Sequence, residues 1–167
     1  MVAVRPVDRS PAGLSRWASA GAGLVALAAG GLYSWPALAA GTLGFLLLVV
    51  GLARGAAGAV SAGAFCLFGG AILAGSQGAP VLPVLAGVAF AVLAWDAGGN
   101  AISVGRQLGR DADTVRAEAV HLVASAVVGT VVAGVGFGLY RTATGGQPVV
   151  ALVLLALAAV LLVEALS

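Results

Sequence analysis

Hydrophobic positions in this chain come in long unbroken runs separated by short polar breaks. An apolar run of about 20 residues is what a helix needs to cross the ~30 Å hydrocarbon layer of a bilayer. The first run covers 12–33 and follows Ser10-Pro11, a capping residue with proline at the first helical position. It closes at Tyr33-Ser34-Trp35-Pro36, two interfacial aromatics and a proline that disfavours helix at the residue before it. Further runs cover 36–53, ending at Arg54, and 56–75, ending in the break that leads to Pro80. A fourth run, 80–104, is apolar to Trp95 and mixed beyond it. After a charged hairpin loop at 105–117, a fifth covers 118–140, and a sixth, 148–166, follows a Gly-Gly break. The pattern predicts an all-α chain, one membrane domain over 1–167, built as a bundle of six transmembrane helices.

Composition rules out the alternative of a soluble domain. Hydrophobic residues make up 61% of the chain and charged residues 8%, where soluble domains carry roughly 45–50% and 25%. Mean hydropathy is +1.11. A surface with so few charges would not stay in water, so the solvent for most of these side chains is lipid. Soluble enzymes and nucleic-acid-binding modules are excluded on that ground. The pI of about 9.3 reflects a net charge of only +2, too little for a nucleic-acid stripe.

Charge placement then sets orientation. All eight basic residues are arginine, which together with heavy Ala, Gly and Val usage suggests a GC-rich genome. With the N-terminus inside, Arg5, Arg9, Arg16, Arg54, Arg106, Arg110 and Arg116 fall on the cytoplasmic side and only Arg141 outside. This positive-inside bias predicts a multi-pass protein of the cell membrane with both termini cytoplasmic. A competing reading is a cleaved signal peptide, because Ala37-Leu38-Ala39 resembles a cleavage site. The spanning length of the first run favours a retained helix instead. Cys66 stands in an apolar run without a partner cysteine and reads as a packed residue.

Small residues recur every four positions: Gly51, Gly55, Ala59 and Gly63; Ala97, Ala101, Gly105 and Gly109; Gly134 and Gly138. In lipid, such spacing lets helix backbones approach closely. Packing within the chain is the expected use, with a homo-oligomer left open.

The segment Trp95–His121 departs from the oily pattern. Asp96, Asn100, Ser103 and Gln107 share one helical stripe, and Glu118, His121 and Ser125 share another on the next helix. A chain reversal near 110–113 sets Ser103 level with residue 120 and Asn100 level with residue 123, so the stripes face each other. Asp96, Asn100, Ser103, His121 and Ser125 therefore form a candidate intramembrane polar cluster. An ionisable group at this depth needs a partner or a wet cavity, which leaves two readings: an interhelical hydrogen-bond clasp, or a proton or cation site. His121 has no second histidine or nearby cysteine to share a metal, and no metal or cofactor is expected. Arg106, Arg110, Asp113, Arg116 and Glu118 read as a solvated, salt-bridged hairpin and a candidate docking surface, with Asp111 or Asp113 capping the fifth helix. No phosphate-binding loop, dinucleotide fingerprint, zinc motif or repeated carboxylate motif is present. The chain reads as a non-enzymatic accessory or scaffold protein of the bilayer. The alternative is a small ion or solute transporter or channel using Asp96 and Asn100.

The Trp95-Asp96 pair, Asn100, the Gly-Arg pairs and Arg116-Ala117-Glu118 before His121 resemble the core of an uncharacterised multi-pass membrane protein family of halophilic archaea. The likeness covers about 95–141, and elsewhere only the hydropathy. Members of that family are commonly encoded beside a MoxR-type AAA+ ATPase, a von Willebrand-like protein and a transglutaminase-like membrane protein. The resemblance implies a cytoplasmic ATPase or other membrane subunits of the same operon as partners. It implies no catalytic residue.

Overall fold

The five apolar runs up to residue 142 are five helices in a computed structural model, which describes residues 10–109 and 113–142. They are α1 Gly13–Gly31, α2 Trp35–Arg54, α3 Ala57–Ser76, α4 Val81–Leu108 and α5 Val115–Thr142. The described residues contain no strand. The sixth expected helix, 148–166, and the C-terminus lie outside the described residues.

Short connections make sequence neighbours antiparallel. Ser34 caps α2, its hydroxyl oxygen accepting the Ala37 N–H at 3.1 Å, with Pro36 in the first turn. Gly55 ends α2 in the left-handed region at φ 64°, where glycine alone is unstrained. The alternation gathers Arg16, Arg54, Arg106 and Arg116 at one end of the bundle, with Arg141 on the last turn of α5 at the other.

Two elements differ from the hydropathy reading. Four helices, α2 to α5, are long and apolar enough to cross a membrane; α1 is not among them. Its first two turns carry Ser15, Arg16 and Ser19. Six equivalent spans are therefore not what the described residues present. The reason is position: α1 and α4 each contact every other described helix, so the polar face of α1 meets protein rather than lipid. Its buried stripe is Ser15, Ser19, Gly23, Ala26 and Gly30. The hairpin connection is also shorter than the expected 105–117, because α4 continues to Leu108 and α5 begins at Val115. At 28 residues each, these helices are roughly 40 Å long, so their charged ends pass beyond the hydrocarbon layer.

The core gathers Leu48, Leu52, Val60, Leu67, Ala94 and Ile102 with partly buried Phe45, Phe68 and Trp95 packed around them. Trp95 donates its indole N–H to the Ser61 hydroxyl at 3.0 Å, tying α4 to α3. α2 and α3 meet backbone to backbone. A Cβ placed on Gly44 would stand 2.7 Å from the Gly63 carbonyl oxygen, and one on Gly51 would stand 2.7 Å from the Val60 nitrogen. Of the glycines spaced by four, Gly51 and Gly63 make this contact, Gly55 makes the turn, and Gly105 lies against Ser10 and Pro11. A Cβ on Gly134 or Gly138 would meet nothing within 4 Å among the described residues.

Gly63→Ala should consequently destabilise the protein by about 1–3 kcal/mol, the usual cost of overpacking, whereas Gly134→Ala, with open space around its Cβ, should not destabilise it and should gain up to about 1 kcal/mol from helix propensity. Thermal unfolding in detergent distinguishes them. Equal melting temperatures for the two variants would contradict the backbone contact.

Candidate functional site

The first turn of an α-helix leaves backbone N–H groups without partners, and α1 has Ala12 at its N-cap with no side-chain cap of its own. Other helices supply what is missing. The Ala12 N–H donates to the Ala101 carbonyl of α4 at 2.8 Å. The Ser15 N–H donates to Glu118 Oε2 at 2.6 Å, and the Leu14 N–H faces the same carboxylate. Glu118 Oε1 accepts the Thr114 hydroxyl at 2.7 Å. Thr114 also accepts the Glu118 N–H at 2.9 Å through its carbonyl, which puts it at the N-cap of α5 in place of the expected Asp111 or Asp113. Glu118 is 2% exposed. A carboxylate from α5 thus caps α1, at a sequence distance of 103 residues.

This corrects two expectations. Glu118, read as a docking charge, is buried because its charge is held by α1 amides. Asn100, read as part of the polar cluster facing α5, instead donates its amide to the Ser15 hydroxyl of α1 at 3.1 Å. One turn further along α1, the Ser19 hydroxyl donates to the Ala94 carbonyl at 2.6 Å. Ser15 and Ser19, both fully buried, escaped the sequence reading. Their signal was the small-residue stripe they share with Gly23, Ala26 and Gly30.

Asp96 lies roughly 15 Å along α4 from Arg106, at 1.5 Å per residue. Its Oδ2 accepts the Ser125 hydroxyl at 2.6 Å. His121 Nε2 stands 2.9 Å from the same oxygen, yet makes no hydrogen bond of good geometry. The Asp96 side chain is 23% exposed and that of His121 38%. The serine donates to the carboxylate rather than to the imidazole, so the three residues lack the relay that activates a nucleophile. Ser103 is not part of this group; it is exposed and accepts from Gln107 Nε2 at 3.1 Å. Among the described residues, no three His, Cys, Asp or Glu side chains converge on a common point.

At the charged end, Arg106 donates from Nη2 to the Gly55 carbonyl at 2.8 Å, placing a cation at the C-terminus of α2, where the helix dipole favours it. Asp113 and Arg116 are exposed. Arg110 lies outside the described residues.

The model of a family of unknown function, DUF7519, matches residues 9–163 of the chain. No curated protein matches it. No solved structure does either.

If Asp96 serves as a clasp, Asp96→Asn should be almost silent, because the amide keeps an acceptor for Ser125 and adds donors. Asp96→Leu should loosen α4 from α5 by about 0.5–2 kcal/mol, the scale of interhelical polar contacts in membranes. Thermal unfolding in detergent reads both. Equal losses in the two variants would show that the charge, not the hydrogen bond, is what matters.

Proposed function

We propose that this chain, which belongs to the DUF7519 family, is a non-enzymatic scaffold or accessory subunit of the cell membrane. The observation that carries the reading is how its polar groups are used. Glu118, Asn100, Ser19 and Ser125 are each engaged with another helix of the same chain, an arrangement that suits fixing a bundle. The arginine-bearing end faces the cytoplasm in this reading, because seven of eight arginines belong to that side of a six-span chain. Docking of a soluble partner falls to the hairpin tip, with exposed Asp113 and Arg116 and the neighbouring Arg110. The resemblance to the halophilic archaeal family makes a MoxR-type ATPase the partner to look for first.

A second reading has a specific observation in its favour. Asp96 and His121 sit 2.9 Å apart and remain partly exposed, as a proton- or cation-handling pair in a small transporter would.

Affinity purification from native membranes tests the first reading. Arg110→Glu with Arg116→Glu should release the soluble partner while the protein stays folded, with cysteine labelling at positions 8 and 112 confirming that both still face the same side. Undiminished co-purification with intact topology would remove the docking surface. Ion flux into proteoliposomes that is lost in Asp96→Asn would replace the scaffold with the transporter.

A further inference from the structure

Among the described residues, the charged end of the bundle shows more cations than carboxylates to the outside. Of the carboxylates described there, Glu118 is buried with its charge held by α1 amides, and Asp113 is exposed. Against them stand Arg54, Arg106 and Arg116, all exposed, and a half-buried Arg16. Apolar side chains are exposed at the same end: Trp17 is 70% accessible, and Leu14, Leu108 and Val115 are also exposed. The Arg16 guanidinium lies over the Trp17 ring, 5.5 Å from its centroid, in cation–π range.

A fixed contact brings one of these cations to the backbone next to another. Arg106 reaches from α4 to the Gly55 carbonyl at 2.8 Å, immediately after Arg54 in the chain. A guanidinium has five N–H donors in a planar fork, so one bond to Gly55 does not exhaust Arg106. Guanidinium forks match phosphate oxygens in bidentate fashion. Tryptophan prefers the level of lipid headgroups.

We propose that this end carries binding sites for the phosphodiester headgroups of anionic phospholipids, formed by Arg54 with Arg106 and by Arg16 beside Trp17. Apolar side chains mixed with the arginines favour lipid over an acidic soluble protein, because Trp17 and Leu14 can lie against the glycerol and upper acyl region while the guanidinium holds the phosphate. The surface differs from the hairpin tip at Asp113 and Arg116, so a lipid and a soluble partner can be held together. Arg106 then has two roles, closing the C-terminus of α2 and presenting its remaining donors to the headgroup.

The experiment uses the full chain in a neutral detergent, titrated with phosphatidylglycerol or with phosphatidylcholine of the same acyl chains. Retained lipid is counted by native mass spectrometry, and the melting temperature is followed alongside. Phosphatidylglycerol should be retained preferentially and should raise the melting temperature, with the preference shrinking as salt shortens the screening length. Arg16→Gln with Arg54→Gln should cut the preference roughly fivefold per arginine, the weight of one basic residue at an anionic surface. Arg141→Gln, at the opposite end, should keep it. The salt series on wild type needs no variant, so it decides the question even if the double variant fails to fold. Equal retention of the two lipids, a preference insensitive to salt, or a folded double variant with undiminished preference would overturn the proposal. A stabilisation reproduced in full by inorganic phosphate would also overturn it, since the site would then recognise a small anion rather than a lipid.

Discussion

The Glu118 carboxylate on the first turn of α1 is the contact on which the joining of α1 to α5 depends. A helix end carries unpaired N–H groups, and where they are buried against other helices each one left without a partner costs about 1–3 kcal/mol. α1 has no local cap, so its amides are satisfied by the Ala101 carbonyl of α4 and the carboxylate of α5. That requirement ties the first turn of α1 to both α4 and α5. It also explains how a helix with serines in its first two turns can pack that polar stripe against an otherwise oily bundle. Arg106 performs the complementary task at the opposite type of helix end, holding the Gly55 carbonyl where α2 terminates. Two charges from one hairpin thus close the ends of two other helices.

Packing follows from the same economy of polar groups. With helix ends closed by side chains from neighbours, α2 and α3 can approach until their backbones touch at Gly44, Gly51 and Gly63. Lipid gives no hydrophobic drive for such an approach, so dispersion contacts and the few interhelical hydrogen bonds must hold it. α5 is different. Among the described residues it rests on α4 and α1, with hydrogen bonds through Glu118 and through Ser125 on Asp96, and Val120, Val127 and Val131 are exposed.

Much of the helical layout was legible because lipid imposes a simple rule: apolar length equals span. The runs 36–53 and 56–75 lie within a residue or two of α2 and α3 for that reason. The rule fails at the hairpin. Gly105 to Leu108 and Val115 to Ala117 look like loop by hydropathy, yet Gly105 packs on Ser10 and Pro11 while Thr114 starts α5 earlier. Charge near other charges also reads as surface, and Glu118 sits among such charges in the sequence. Its burial depends on an amide 103 residues earlier in the chain, and no local pattern records such a partner. Helical register set the heights of Asn100 and Ser125 along the hairpin but not their azimuth. Ser125 meets Asp96, while Asn100 turns to α1, which a two-helix register argument does not contain.

Hydrogen exchange of the α1 amides in detergent tests the capping account most directly, comparing wild type with Glu118→Leu and Glu118→Gln. The account predicts that Glu118→Leu loses protection selectively at Leu14 and Ser15, while α2 and α3 exchange as in wild type. Glu118→Gln should fall between them, because its one carbonyl oxygen can still accept an α1 N–H. Unchanged protection of the first turn of α1 in folded Glu118→Leu would contradict the claim that this carboxylate holds the helix in place.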